Sequence, residues 1–195
     1  MNVVFIHIPK TAGLYIQEAL SLQLLRYSNR VKRNFKQEGI VTFGHQNYRR
    51  LLRRGIVSKE FDETAFKFAF CRNPFDRAVS HYFYARRKHP DILNPNVSFI
   101  DFTRTLVNYK ATFQPQSVYI DGVDVDFIGR FENIDDDINR VAIIVGREVM
   151  EIPKRNCTEH EAYQNYYNEE SVENIRTFYM EDFKRFGYND HILYR

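Results

Sequence analysis

An apolar run that breaks into a tight turn and restarts with a different period constrains this chain more than any other stretch. Val3-Val4-Phe5-Ile6-His7-Ile8 is short, rich in β-branched residues and bounded by Pro9, which predicts a buried parallel strand. Beyond it the period changes, and Ile16, Ala19, Leu20 and Leu24 fall on one helical face. The turn between them, Pro9-Lys10-Thr11-Ala12-Gly13, holds a lysine, a threonine and small residues. Backbone N–H groups at the helix start are left uncovered there. With the adjacent ammonium they make an anion cradle of the size of a phosphate or sulfate ester. The Walker A spacing G-x-x-x-x-G-K-[ST] is absent, so this turn taken alone is equally an ordinary α/β connection with a solvated lysine.

A second stretch repeats the pattern. Phe66-Lys67-Phe68-Ala69-Phe70-Cys71 reads as a strand, and Pro74 opens a helix in the first turn, where its missing N–H costs nothing. Arg72 leaves the strand at its carboxyl end, the level at which open α/β sheets bind ligands. Ser80 follows two helical turns on. A planar guanidinium and a hydroxyl suit a second phosphate, and two anion sites at neighbouring strand ends imply one ligand with phosphates at both ends.

The residues His7-Ile8-Pro9-Lys10-Thr11-Ala12-Gly13 resemble the 5′-phosphosulfate loop of the PAPS-dependent carbohydrate sulfotransferases related to heparan sulfate 2-O-sulfotransferase. Arg72-Asn73-Pro74 with Asp76, Ser80 and Tyr82 is similar to their 3′-phosphate motif, R-N-x-x-D-x-x-x-S-x-Y. Phe127 to Asn133 resembles the strand that follows, and Tyr179 to Tyr188 the family's closing helix. The resemblance implies an α/β fold, a three-layer sandwich with a central parallel sheet flanked by helices, in the P-loop NTPase-like sulfotransferase class. It also implies a donor co-substrate, 3′-phosphoadenosine 5′-phosphosulfate (PAPS), transfer of its sulfuryl group to an acceptor hydroxyl, PAP (3′,5′-ADP) as product, and no metal.

On that reading the cofactor-binding residues are Pro9, Lys10, Thr11, Ala12, Gly13, Leu14 and Tyr15 for the 5′ end, and Arg72 and Ser80 for the 3′-phosphate. Lys154 and Arg155, in a polar loop before the last helix, are added because related enzymes close such a loop over the nucleotide. Lys10 and His45 are the catalytic candidates. His45 ends the short strand Gly39 to Phe43 after Gly44, on the edge where the cradle lies, and it resembles the G-H segment from which related enzymes draw their base. An imidazole suits deprotonation of a hydroxyl near neutral pH. His7 and His81 are its rivals, His7 as a polar wall and His81 as a solvent-facing residue. Where the family places Thr-Ser after the loop glycine, this chain has Leu14-Tyr15, which leaves the backbone N–H groups and Tyr15 as donors.

The rest of the chain bounds these readings. At 195 residues it is long enough for one substantial core, and no linker or repeat divides it, so residues 1–195 are expected to form a single sulfotransferase domain. A net charge of +3 gives no field that demands nucleic acid or another polyanion. Arg26, Arg30, Lys32, Arg33 and Lys36 read as a solvated face, with anion gathering as the alternative. Cys71 and Cys157 make neither a disulfide framework nor a metal spacing. Asp124-Val125-Asp126 has a D-x-D form but reads as a loop end, so no metal ligand is assigned. The run Val141 to Val145 is too short to cross a membrane, and the N-terminal strand runs directly into the turn, so a cytoplasmic enzyme with no membrane span is expected. Gln116 to Ile120 is expected as a brief strand, and Ser171 to Phe183 as one closing helix. A P-loop-type nucleotide kinase and a non-catalytic PAP- or sulfated-glycan-binding module are the alternative functions.

Overall fold

A computed structural model of the chain describes residues 1–24, 40–109, 113–152 and 160–192. The elements are β1 (Asn2–Ile6), α1 (Gly13–Ala19), β2 (Gln23–Leu24), β3 (Ile40–Thr42), α2 (Tyr48–Arg53), α3 (Lys59–Thr64), β4 (Ala65–Cys71), α4 (Pro74–Lys88), α5 (Phe99–Thr105), β5 (Phe127–Arg130), α6 (Ile134–Val145), α7 (Glu169–Phe178) and α8 (Met180–Phe186). The chain divides into two compact units, Met1–Cys71 with Val118–Arg155, and Arg72–Ser117 with Asn156–Arg195.

The first unit carries a parallel sheet in the order β2-β3-β1-β4-β5. β1 is its central strand, pairing with β3 on one side (Val4 opposite Val41) and β4 on the other (Val4 opposite Lys67). Its apolar sequence follows from that place, because both faces are out of water: Val3 and Phe5 on one, Val4 and Ile6 on the other. The chain reverses its direction of winding about β1, so the residues after Ile6 lie where doubly wound sheets form their ligand crevice. Val3, Phe5, Phe68 and Phe70 pack against Ile16, Ala19 and Leu20 of α1 and against Ile138, Val141 and Ala142 of α6.

In the second unit, Phe75, Tyr82, Phe99, Phe102, Phe113, Tyr167, Tyr179 and Phe183 form one aromatic-rich core among α4, α5, α7 and α8. Asn73 caps α4 by accepting from the Phe75 N–H, and Pro74 is its first residue.

Several elements differ from the sequence expectation. α1 ends at Ala19, and Leu24 lies in β2 instead of extending the helical stripe. Gln116–Ile120 is a 3₁₀ turn and not a strand, because the Asp182 carboxylate accepts from the Gln116 and Ser117 N–H groups and so caps a helical end. The closing helix starts at Glu169, under a reciprocal cap between Asn168 and Ser171, and breaks in two at Tyr179. There the buried Tyr179 hydroxyl donates to the Phe113 carbonyl at 2.8 Å.

Candidate active site

The turn after β1 is held in an unusual backbone conformation. Lys10 and Ala12 both take left-handed φ values, 68° and 61°. Each costs a non-glycine residue on the order of 1–2 kcal/mol. Thr11 stabilises the bend from inside: it is fully buried and its hydroxyl donates to the Ile8 carbonyl at 2.8 Å. Ala12 is the N-cap of α1 and provides no side-chain acceptor, so the first-turn N–H groups of α1 receive nothing from the capping side chain. A left-handed residue followed by a helical one turns successive N–H groups toward a common point, the geometry of an anion nest. α1 has only seven residues, too short for a large helix dipole. Leu14 is exposed, and the Tyr15 hydroxyl donates to Asp135 of α6 at 3.0 Å. The Tyr15 hydroxyl is thereby tied to α6.

Behind the turn, a histidine pair is locked to α1. The helical period puts Gly13 and Gln17 one turn apart on the same face, and both meet His7. Gly13 is required there by space, since a Cβ on it would stand 1.9 Å from His7 Nε2. Gln17 Nε2 lies 3.0 Å from His7 Nδ1, and His45 Nε2 lies 3.3 Å from His7 Nε2. The His7 ring stacks on Phe5 with centroids 5.4 Å apart and meets His45 edge-on at 4.3 Å. Burial, with the neighbouring His45 adding to it, pushes the His7 pKa down to about 3. His7 is therefore neutral at physiological pH. His45 is exposed and follows Gly44, whose φ of 63° makes the sharp turn that the Gly-His pair predicts. Asn47 fixes the next helix, accepting from the Arg50 N–H and donating to the Val118 carbonyl.

In the second unit, Arg72 is nearly buried and held from two sides. Its Nε and Nη2 donate to Asp76 at 2.8 and 2.9 Å, the two-pronged geometry that fixes a guanidinium plane. Its peptide is clasped by one side chain: the Gln116 amide accepts from the Arg72 N–H at 2.9 Å and donates to the Arg72 carbonyl at 2.8 Å. Gln116 is in turn set by buried Asp182. Ser80 is buried on α4. His81, expected to face solvent, is buried as well, with its ring edge-on to Phe113 at 5.2 Å. The reason is that α4 buries side chains on most of its circumference, from Phe75 through Ala85. Arg77 is fully buried beneath the same helix, donating to the Gln114 carbonyl and lying over the Tyr179 ring.

Pro9, Lys10, Thr11, Ala12, Gly13, Leu14, Tyr15 and His45 thus belong to the first unit, where His7 links Gly13 to His45, and Arg72 and Ser80 belong to the second. Lys154 and Arg155, and the basic run from Arg26 to Lys36, lie outside the described residues. Gln17, Gln116 and Asp182 are the residues that sequence reasoning missed. Only Gln17 carried a local signal, its position one helical turn after the loop glycine. Asp126 proves structural: its backbone N–H and its carboxylate pair with the Lys67 peptide of β4. Among the described residues no helix is long and apolar enough to cross a membrane.

Comparison with known proteins gives the family and the fold. The family model described as Sulfotransferase family matches residues 1–189. The crystal structure of mouse sulfotransferase SULT7A1 complexed with PAP superposes with a TM-score of 0.63 at 13% identity, covering 94% of this chain and 84% of that one. A sulfotransferase from Alicyclobacillus acidocaldarius gives 0.56 at 15% identity, with 94% and 93% covered. An uncharacterised protein of Archaeoglobus fulgidus is 37% identical over 98 residues, 48% of this chain and 78% of its own length. The structural likenesses show the fold, a parallel sheet flanked by helices, and the match along nearly the whole sequence shows the kinship: this chain belongs to the sulfotransferase family.

Proposed function

We propose that the chain moves the sulfuryl group of PAPS to a carbohydrate hydroxyl by in-line displacement at sulfur, leaving PAP. The observation that carries this reading is the strained turn of a sulfotransferase-family chain, with Lys10 and Ala12 left-handed and no side-chain cap on α1. The mouse neighbour's bound PAP supports the choice of donor.

The donor, when bound, supplies the transferable sulfuryl group and the phosphate leaving group. Lys10 and the N–H groups of residues 11–14 hold the 5′ end and offset the charge that grows on the bridging oxygen as the bond to sulfur breaks. Arg72, kept in one orientation by Asp76, and Ser80 hold the 3′-phosphate, with Lys154 and Arg155 assisting. That grip turns a bimolecular encounter into a positioned one. His45 takes the proton of the acceptor hydroxyl, and no divalent ion is needed.

Radiolabelled sulfate transfer from PAPS to a glycan panel, with and without EDTA, tests the proposal. Transfer insensitive to EDTA and abolished by Lys10→Ala is expected. Full turnover of the lysine variant refutes the role, and metal-dependent use of ATP points instead to a kinase. The non-catalytic binding module keeps one observation in its favour, the exposed Leu14 and the Tyr15 hydroxyl engaged with Asp135. Stabilisation by PAP without turnover on any acceptor is its signature.

A further inference from the structure

We propose that Gln17 and His7 are positioning residues for His45: the Gln17 amide decides which nitrogen of His7 carries the proton, and His7 decides which nitrogen of His45 does. The proposal rests on the reading of His45 as the group that takes the acceptor's proton.

The chain of contacts runs in one direction. An amide nitrogen only donates, so Gln17 Nε2, 3.0 Å from His7 Nδ1, makes Nδ1 the acceptor. His7 is neutral, and its single proton then sits on Nε2. That nitrogen faces His45 Nε2 at 3.3 Å, so His45 accepts there and carries its own proton on Nδ1. In this arrangement the outward nitrogen of His45 is a donor, and its lone pair is used up on His7.

Turning the Gln17 amide end over reverses every bond. Its carbonyl then accepts from His7 Nδ1–H, His7 Nε2 becomes an acceptor, His45 carries Nε2–H, and His45 Nδ1 is unprotonated. This second arrangement is the base. The acceptor O–H bond breaks and a new N–H bond forms at Nδ1, while the oxygen's electron pair attacks sulfur and the bond from sulfur to the bridging oxygen of the donor breaks. The resulting imidazolium keeps its Nε2–H on the lone pair of His7. His7 holds that charge in place without taking it, because its burial disfavours the protonated ring. Among the described residues, Phe5, Gly13, Gln17 and His45 stand against the His7 ring. The group at His7 Nδ1 is a neutral amide, and its orientation governs the tautomer. The packing that Gly13 permits keeps the ring against α1, where Gln17 can reach it.

Nitrogen-15 NMR of the whole protein labelled at histidine reads the tautomers directly, without ligand. Gln17→Glu places an acceptor-only group at Nδ1, and it is expected to move the His7 proton to Nδ1 and the His45 proton to Nε2. Gln17→Met keeps the side-chain length but neither donates nor accepts, and it is expected to leave His7 as a mixture of tautomers. In the transfer assay Gln17→Met should lower kcat about 10-fold, a share of the ~10²–10⁴ that a positioned acid–base group supplies, with the donor KM unchanged. Gln17→Glu should restore kcat and shift the acid limb of its pH profile. The proposal is overturned if the His7 tautomer and the His45 pKa are the same in wild type, Gln17→Glu and Gln17→Met. His45→Ala separates the two levels of failure: wild-type turnover in that variant removes the base role itself, whereas lost turnover with unresponsive tautomers removes only Gln17 and His7 from it.

Discussion

Replacing Gly13 with alanine puts a methyl group where the His7 imidazole already lies. The added Cβ would meet Nε2 at 1.9 Å, Cδ2 at 2.1 Å and Cε1 at 2.5 Å, against the ~3.5–4.0 Å of ordinary carbon contacts, so the ring has to retreat by roughly 1.5 Å. It has nowhere easy to go, with Phe5 stacked on its face, Gln17 at one nitrogen and His45 at the other. Overpacking of this kind costs about 1–3 kcal/mol, and two broken hydrogen bonds add about 1 kcal/mol each. Gly13 is the first residue of α1 and does not have a left-handed φ, so alanine returns up to about 1 kcal/mol of helix propensity. The net expectation is a loss of about 2–4 kcal/mol, read from urea unfolding. In a His7→Ala background the space is empty and the same substitution should be neutral or stabilising by up to about 1 kcal/mol. If Gly13→Ala has the same effect in both backgrounds, within about 0.5 kcal/mol, the claim that His7 dictates this glycine is wrong.

Other expectations follow from the same contacts. Because the folded His7 pKa lies near 3 and the unfolded value near 6.5, the unfolded state binds the extra proton between them. Stability should therefore hold above pH 6.5 and fall as the pH drops toward 3, by up to ~1.4 kcal/mol per unit. Denaturant midpoints at several pH values should show a shallower acid slope for His7→Gln, and equal slopes contradict the assignment. Arg72→Ala strands the half-buried Asp76 carboxylate and should cost about 3 kcal/mol, the low end of what stranding a buried partner costs, so its effect on donor binding is confounded with unfolding. Arg72→Ala/Asp76→Ala should recover much of that stability while leaving PAP binding weak by calorimetry, and recovered binding speaks against Arg72 as a phosphate ligand. Asp182→Ala removes the acceptor for the Gln116 and Ser117 N–H groups and should lower stability by about 2–4 kcal/mol, together with faster hydrogen exchange at Arg72. Unchanged exchange there would show that Gln116 is held by other means.

What the sequence made legible were features decided within a few residues. The V-V-F-I run, the small-residue turn and the Asn73-Pro74 start each act locally, and the strand and the helix starts that depend on them stand where expected. Gly44-His45 was readable for the same reason, one left-handed glycine followed by an exposed imidazole. Gln116 was read as strand because its neighbours Val118, Tyr119 and Ile120 favour extended backbone. The deciding interaction is a carboxylate far along the chain at Asp182, which no local pattern records. His81 was misplaced because helical spacing alone does not say that α4 is covered on nearly every side. Gly13 reads from the sequence as part of the phosphate-loop resemblance, and in this structure the neighbour that fills its space is His7.

The clasp from Asp182 through Gln116 to Arg72 also bears on how the protein is made. A ribosome delivers Arg72 well before Asp182, so for a time the nascent chain holds Arg72 without the carboxylate that sets its Gln116 brace. Unit one waits in a similar way for Ile134–Val145 to cover its sheet. A ribosome stalled before α8 releases a chain in which Arg72 lacks the Gln116 brace as Asp182 sets it.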